Sequence, residues 1–152
     1  MKFKIGFEPE DKNKLFEYWN EILDNNIWSE GKFTKKLEES WSEHNSLSSI
    51  SFSSWAGAAE ATLKYFNLEN ETILCPSNTF QATPMVSKLN NINVKFVDCN
   101  KNDLCISFDD FVKKIKEHNP KAIWVVHIGG HISFEIEKIS EYCKKNKIIL
   151  IE

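Results

Sequence analysis

Four short stretches combine residue types that can do chemistry. Ser53-Ser54-Trp55-Ala56-Gly57 sets two hydroxyls ahead of the small residues Ala56, Gly57, Ala58 and Ala59. If a helix starts there, its first-turn N–H groups lack acceptors and its dipole is positive at that end. Small side chains then leave the backbone open to an anion such as a phosphate. The plainer reading is that Ser54 is simply an N-cap, which helices favour in any case. The stretch is neither a Walker loop nor a GxGxxG. In Pro76-Ser77-Asn78-Thr79-Phe80, an aromatic follows an apolar run and could stack on a flat heterocycle; with 11 Phe in the chain, Phe80 could equally be core. Asp98-Cys99-Asn100 follows a third apolar run. His127-Ile128-Gly129-Gly130-His131 follows a fourth. Its two histidines suggest a metal pair, but the glycines between them oppose a helix, and no third ligand is spaced to join them, so no metal is expected. His127 reads better as a polar group lining a site, with glycines that allow close backbone approach.

These stations gain meaning only if the elements before them bring them to one edge. From about residue 48, short apolar runs alternate with amphipathic segments. Strands are expected near Ser49–Ser53, Thr72–Cys75, Val94–Asp98, Ala122–His127 and Ile148–Ile151, and helices over Ala56–Phe66, Phe80–Leu89, Phe108–His118 and Phe134–Lys145. Strand spacing of roughly 22–28 residues suits βαβ crossovers. Ile123-Trp124-Val125-Val126 and Ile148-Ile149-Leu150-Ile151 do not alternate with polar residues, so both faces of those strands should be covered. The expected fold is a three-layer α/β/α arrangement with a mainly parallel sheet, over residues 48–152. Residues 1–47 form a separate helical segment, with helices over Asp11 to Asp24 and Lys32 to His44. In open α/β sheets ligands bind at the carboxyl ends of strands, where all four stations would lie.

Composition removes other classes. The chain has 152 residues, 41% hydrophobic and 27% charged, which suits one globular domain. Its net charge is −3 and it contains no arginine, so all 19 cations are lysine. A nucleic-acid binder would show a basic surplus and Arg forks; neither is present. No apolar run approaches the ~20 residues of a membrane span. The four cysteines, Cys75, Cys99, Cys105 and Cys143, show no CxxC and read as small hydrophobes in a reducing, cytoplasmic setting.

Taken together, the chain resembles the DegT/DnrJ/EryC1/StrS family of pyridoxal-phosphate-dependent aminotransferases. The resemblance runs from Trp28-Ser29-Glu30-Gly31 to the terminal Ile149-Leu150-Ile151-Glu152. Its most specific pieces are Ile73-Leu74-Cys75-Pro76-Ser77-Asn78-Thr79-Phe80-Gln81-Ala82-Thr83, Val94-Lys95-Phe96-Val97-Asp98 and Val126-His127-Ile128-Gly129-Gly130-His131. It implies part of the large domain of a fold-type-I enzyme that passes an amino group, usually from glutamate, to a nucleotide-linked keto-sugar, with active sites shared in a homodimer. It also implies that the amides of Ala56 and Gly57 hold the cofactor phosphate, that Phe80 stacks on the pyridine ring and that His127 lies near the cofactor. Trp28, Ser29 and Gly31 would lie near the substrate and the subunit interface.

The sequence departs from that family in two ways. Ala56 replaces a residue that usually carries a hydroxyl, although its amide survives. The aspartate that pairs with the pyridine nitrogen would fall just beyond Glu152, and the lysine that binds the cofactor further still. No lysine of the chain stands at a station that could substitute; most fall on helices, where a solvated face is the plain reading. The expectation is an N-terminal fragment, inactive alone. Alternatives are a non-catalytic anion- or nucleotide-binding α/β module, or another fold-type-I enzyme.

Overall fold

A computed structural model describes residues 6–152. They divide into one compact unit that ends at Ser51 and a second over Phe52–Glu152. The first unit holds two helices, α1 (Pro9–Asn25) and α2 (Lys32–Asn45). Pro9 has no N–H to lose in the first turn, and Glu10 and Asp11 complement the dipole there. Asn26 and Ser46, both with φ 56, end the two helices in the left-handed conformation. The rings of Tyr18 and Phe33 lie 4.8 Å apart, and Lys36 Nζ donates to Tyr18 Oη at 3.0 Å. Neither helix buries a residue, and Phe16, Trp19 and Trp41 are more than half exposed.

The strand expected over Ser49–Ser53 is absent. The Ser49 amide donates to Ser42 Oγ at 2.9 Å, and the Ser51 amide and hydroxyl both donate to Glu38 Oε1 at 2.8 Å. Side chains of α2 therefore capture the donors that a sheet ladder would have used, and Ile50 stays 78% exposed. The two bonds from Ser51, its amide first, hold the Glu38 carboxyl below its ordinary value.

The second unit runs α3 (Trp55–Tyr65), β1 (Thr72–Pro76), α4 (Ala82–Leu89), β2 (Asn93–Val97), α5 (Phe108–His118), β3 (Ala122–Trp124), a 3-10 turn (Ile128–Gly130), α6 (Ile136–Asn146) and β4 (Ile149–Ile151). All four strands are parallel, in the order β2-β1-β3-β4. Ile73 of β1 pairs with Val94 on one side and Ala122 on the other, and Ile123 pairs with Leu150. Alternate residues of a strand face opposite sides of the sheet. Ile73, Cys75, Ala122 and Trp124 accordingly pack with Ala59, Leu63 and Val86 of α3 and α4. Leu74, Val97, Ile123 and Val125 pack with Phe111, Ile139 and Cys143 of α5 and α6. This is the three-layer α/β/α arrangement expected from the sequence.

Element ends shift in ways that matter for the site. Phe80 precedes α4 rather than opening it, and is 74% exposed. β3 stops at Trp124, although the Val125 amide still donates to the Ile151 carbonyl at 2.8 Å. Gly129 and Gly130, with φ 67 and 83, then turn the chain in a conformation that L side chains resist. No helix of the described residues is long and apolar enough to cross a membrane.

Candidate functional site

Three of the four stations converge. An open cleft of about 520 Å³ is bounded by Trp55 and Ala56 from α3, Thr79 and Phe80 from the β1–α4 loop, and Val126 and His127 after β3. Ser54 caps α3: its Oγ accepts the Gly57 amide at 3.2 Å, and its carbonyl accepts the Ala58 amide at 3.3 Å. The amides of Trp55 and Ala56 have no acceptor among the described residues, as first-turn geometry requires. Ser54 thus caps the helix, as its plainer reading expects, and also lines the cleft. Gly57 lines an adjoining hollow with Met85 instead, and its amide is engaged by Ser54.

Phe80 is held forward of α4 by its neighbours. Thr79 Oγ1 and Thr83 Oγ1 are 3.0 Å apart, and the Thr83 amide donates to the Phe80 carbonyl at 3.0 Å. The ring is left at the cleft rather than in the core. Trp55 is anchored from behind by Trp124, whose ring centroid lies 5.8 Å away and whose Nε1 donates to Ser87 Oγ at 2.9 Å.

His127 is the titratable side chain of the cleft wall, and its hydrogen-bond roles are fixed by its partners. The Ser133 amide, which can only donate, lies 3.1 Å from Nδ1. Nδ1 therefore carries the lone pair and the proton sits on Nε2, 2.9 Å from Glu152 Oε1. The Ser133 hydroxyl is buried with no partner among the described residues.

The remaining expected residues lie elsewhere. Asp98-Cys99-Asn100 is outside the cleft: the Asp98 amide donates to Asp110 Oδ2 and Cys99 bridges to Ile106. Trp28, Ser29 and Gly31 belong to the first unit. Trp28 is 72% exposed, and Gly31 caps α2 and lines a small hollow with Ile27 and Phe33. The lysines of the helices stay on solvated faces, where Lys64 pairs with Glu60 and Lys138 with Glu135. Trp55 and Thr79 stand in two of the four stations without a role of their own there, and Thr83 lies just beyond the second. The four-residue spacing of the two threonines across a loop-to-helix junction was their one available signal. His131 does not pair with His127; it meets Asp103 and Cys105, each more than 25 residues away in the chain.

The start of α3, the exposed Phe80 ring and His127 thus share one rim of an α/β/α unit. The chain belongs to the DegT/DnrJ/EryC1/StrS aminotransferase family, which matches residues 9–152. Among solved structures, ntda from Bacillus subtilis with bound cofactor PMP is similar with a TM-score of 0.87 at 22% identity, over 96% of this chain and 34% of that one. A DegT DnrJ EryC1 StrS aminotransferase from Brucella abortus gives 0.80 at 19%, over 93% and 40%. E. coli GDP-4-keto-6-deoxy-D-mannose-3-dehydratase with bound hydrated PLP gives 0.84 at 18%, over 97% and 38%. The chain therefore spans two fifths or less of the structures it matches, and at these identities the likeness is one of fold.

Proposed function

We propose that this chain is the cofactor-cradling part of a pyridoxal-phosphate-dependent aminotransferase that acts on nucleotide-linked keto-sugars, with glutamate as donor and a homodimer as the working assembly. Family membership and the PMP- and PLP-bound neighbours support the cofactor, and the E. coli neighbour's name supports the sugar. The observation that carries the reading is the meeting of Ala56, Phe80 and His127 at one cleft.

The donor set fits such a group. The free amides of Trp55 and Ala56, with the Ser54 hydroxyl and the positive end of α3, would hold the phosphate. Phe80 would cover one face of a flat ring and exclude water from it. His127 holds a proton at Nε2 against Glu152 and presents a neutral imidazole at the rim. When bound, pyridoxal phosphate supplies an electron-withdrawing ring through which an amino group can be taken up and passed on. None of the residues lining the cleft is a lysine or a carboxylate. We accordingly propose that the 152 residues bind the cofactor but do not turn over. The Trp28, Ser29 and Gly31 segment is assigned to the substrate side on family resemblance.

Fluorescence titration tests this. Pyridoxal phosphate should bind at least about tenfold more tightly than pyridoxal, which lacks the phosphate. Phe80→Ala should weaken it by about 0.5–1.5 kcal/mol, the worth of an aromatic stack. Equal affinity for the two ligands would overturn the phosphate assignment, and measurable amino transfer by the chain alone would overturn the inactivity.

A further inference from the structure

Between β2 and α5 the chain makes a tight loop stitched by side chains. Asn100 Oδ1 accepts the amides of Asn102 and Asp103 at 2.9 and 3.1 Å, and Leu104 is held at φ 60. Asp103 Oδ1 accepts the Cys105 amide at 2.9 Å, and Oδ2 accepts the Phe134 amide at 2.7 Å. Against this loop lies His131, with Nε2 3.6 Å from Cys105 Sγ and 3.0 Å from the Asp103 carbonyl oxygen. The Asp103 carboxylate, the Cys105 thiol and the His131 imidazole each bring one atom to within 4.8 Å of the others. Asp103 is 5% exposed and Cys105 1%, while His131 is exposed. None of the ion pairs among the described residues involves Asp103.

We propose that Asp103, Cys105 and His131 form a site for a zinc-class divalent cation. One oxygen, one sulfur and one imidazole nitrogen make the mixed donor set that Zn²⁺ takes. Tetrahedral bonds of about 2.0–2.3 Å place ligand atoms roughly 3.3–3.8 Å apart. The sulfur and nitrogen already stand at 3.6 Å, and the separations that involve the Asp103 oxygen need close by no more than about 1.5 Å. Both Asp103 oxygens hold amides yet keep a lone pair each. The carboxylate and a thiolate together neutralise a divalent charge, which answers the cost of burying an unpaired anion. The exposed imidazole gives the ion a way in.

Binding forms a metal–sulfur bond and breaks the Cys105 S–H bond, and the proton leaves to solvent. The His131 proton, now on Nε2 facing the Asp103 carbonyl, moves to Nδ1 so that Nε2 can ligate. The bound ion would tie the β2–α5 loop to the segment that carries His127 and Ser133. That is a structural tie, independent of whether the cleft binds a cofactor.

Cobalt titration of the reduced 152-residue chain tests it. One equivalent of Co²⁺ should raise a thiolate charge-transfer band in the near ultraviolet, and Zn²⁺ should displace it. His131→Ala, a surface change, should weaken binding by at least about tenfold with the circular dichroism unchanged. Cys105→Ser should abolish the band, Cys99→Ser should leave it, and Phe80→Ala should leave it too, which separates this site from the cleft. A folded chain with no band, or a His131→Ala variant that titrates like the parent, would overturn the proposal and leave His131 as a plain hydrogen-bond donor to the Asp103 carbonyl.

Discussion

Ser133 divides its polar groups between use and cost. Its amide orients His127, while its hydroxyl is buried without a partner among the described residues. A buried hydroxyl that makes no bond costs stability, so Ser133→Ala should leave urea stability unchanged or raise it by up to about 1 kcal/mol. A loss of that size instead would show that the hydroxyl is bonded. Asp103 illustrates the opposite balance. Burial alone would raise its carboxyl, but the amides of Phe134 and Cys105, then Asn100 and His131, hold it below the ordinary value. At this scale the sequence was half legible. Chain order was enough to put His127 at a strand end and Phe80 beyond another. It could not say which His127 nitrogen carries the proton, because the partners lie 6 and 25 residues away. Likewise Cys105 looked like a small hydrophobe because nothing near it in the chain announces His131.

Helices declared themselves through local signals, and the one failed strand shows what overrides them. α5 begins after Ser107, whose Oγ accepts the Asp110 amide, carries Asp109 and Asp110 in its first turn and ends on a left-handed Asn119. Every one of those cues is local, and the expected bounds matched. The alternating stretch after α2 had the right pattern for a strand but met a competitor for its donors in Glu38. Glu38→Gln should speed hydrogen exchange at the Ser51 amide, since a neutral amide oxygen accepts less strongly than a carboxylate. Because the folded carboxyl lies below its unfolded value, this tie is fully present above the ordinary value of 4.5 and is lost as pH falls through the folded one. Protection at Ser51 that is indifferent to both changes would rule the tie out.

Across the whole molecule, the two-sided sheet governs both what was readable and how the chain responds to alkali. The unbroken run at Ile123 forecast a covered strand, whereas Ile149 and Leu150 of the edge strand β4 are only partly buried. The layers bury Cys75 and Cys143 completely enough to change their acidity. Burial pushes the Cys75 thiol from an ordinary 9.0 to about 12 and the Cys143 thiol to about 11. In the unfolded chain both ionise first, so unfolding releases protons above pH 9 and stability falls as pH rises from there through the folded values. The melting temperature should drop steadily between about pH 9 and pH 11, with less of a drop in a Cys75→Ala, Cys143→Ala chain. An equal drop in both would place the alkaline weakness elsewhere.

The order β2-β1-β3-β4 also sets a sequence in time. β1 and β2 can meet across one short helix as soon as both exist, but β1 gains its second neighbour only when the chain has run on through α5 to β3. Closing that longer loop must be paid for before the sheet's middle is complete, which makes assembly slow and non-local contacts rate-setting. During synthesis at about 5–20 residues per second, the inner edge of β1 would wait some seconds for its partner, and for that interval the nascent sheet has an open flank.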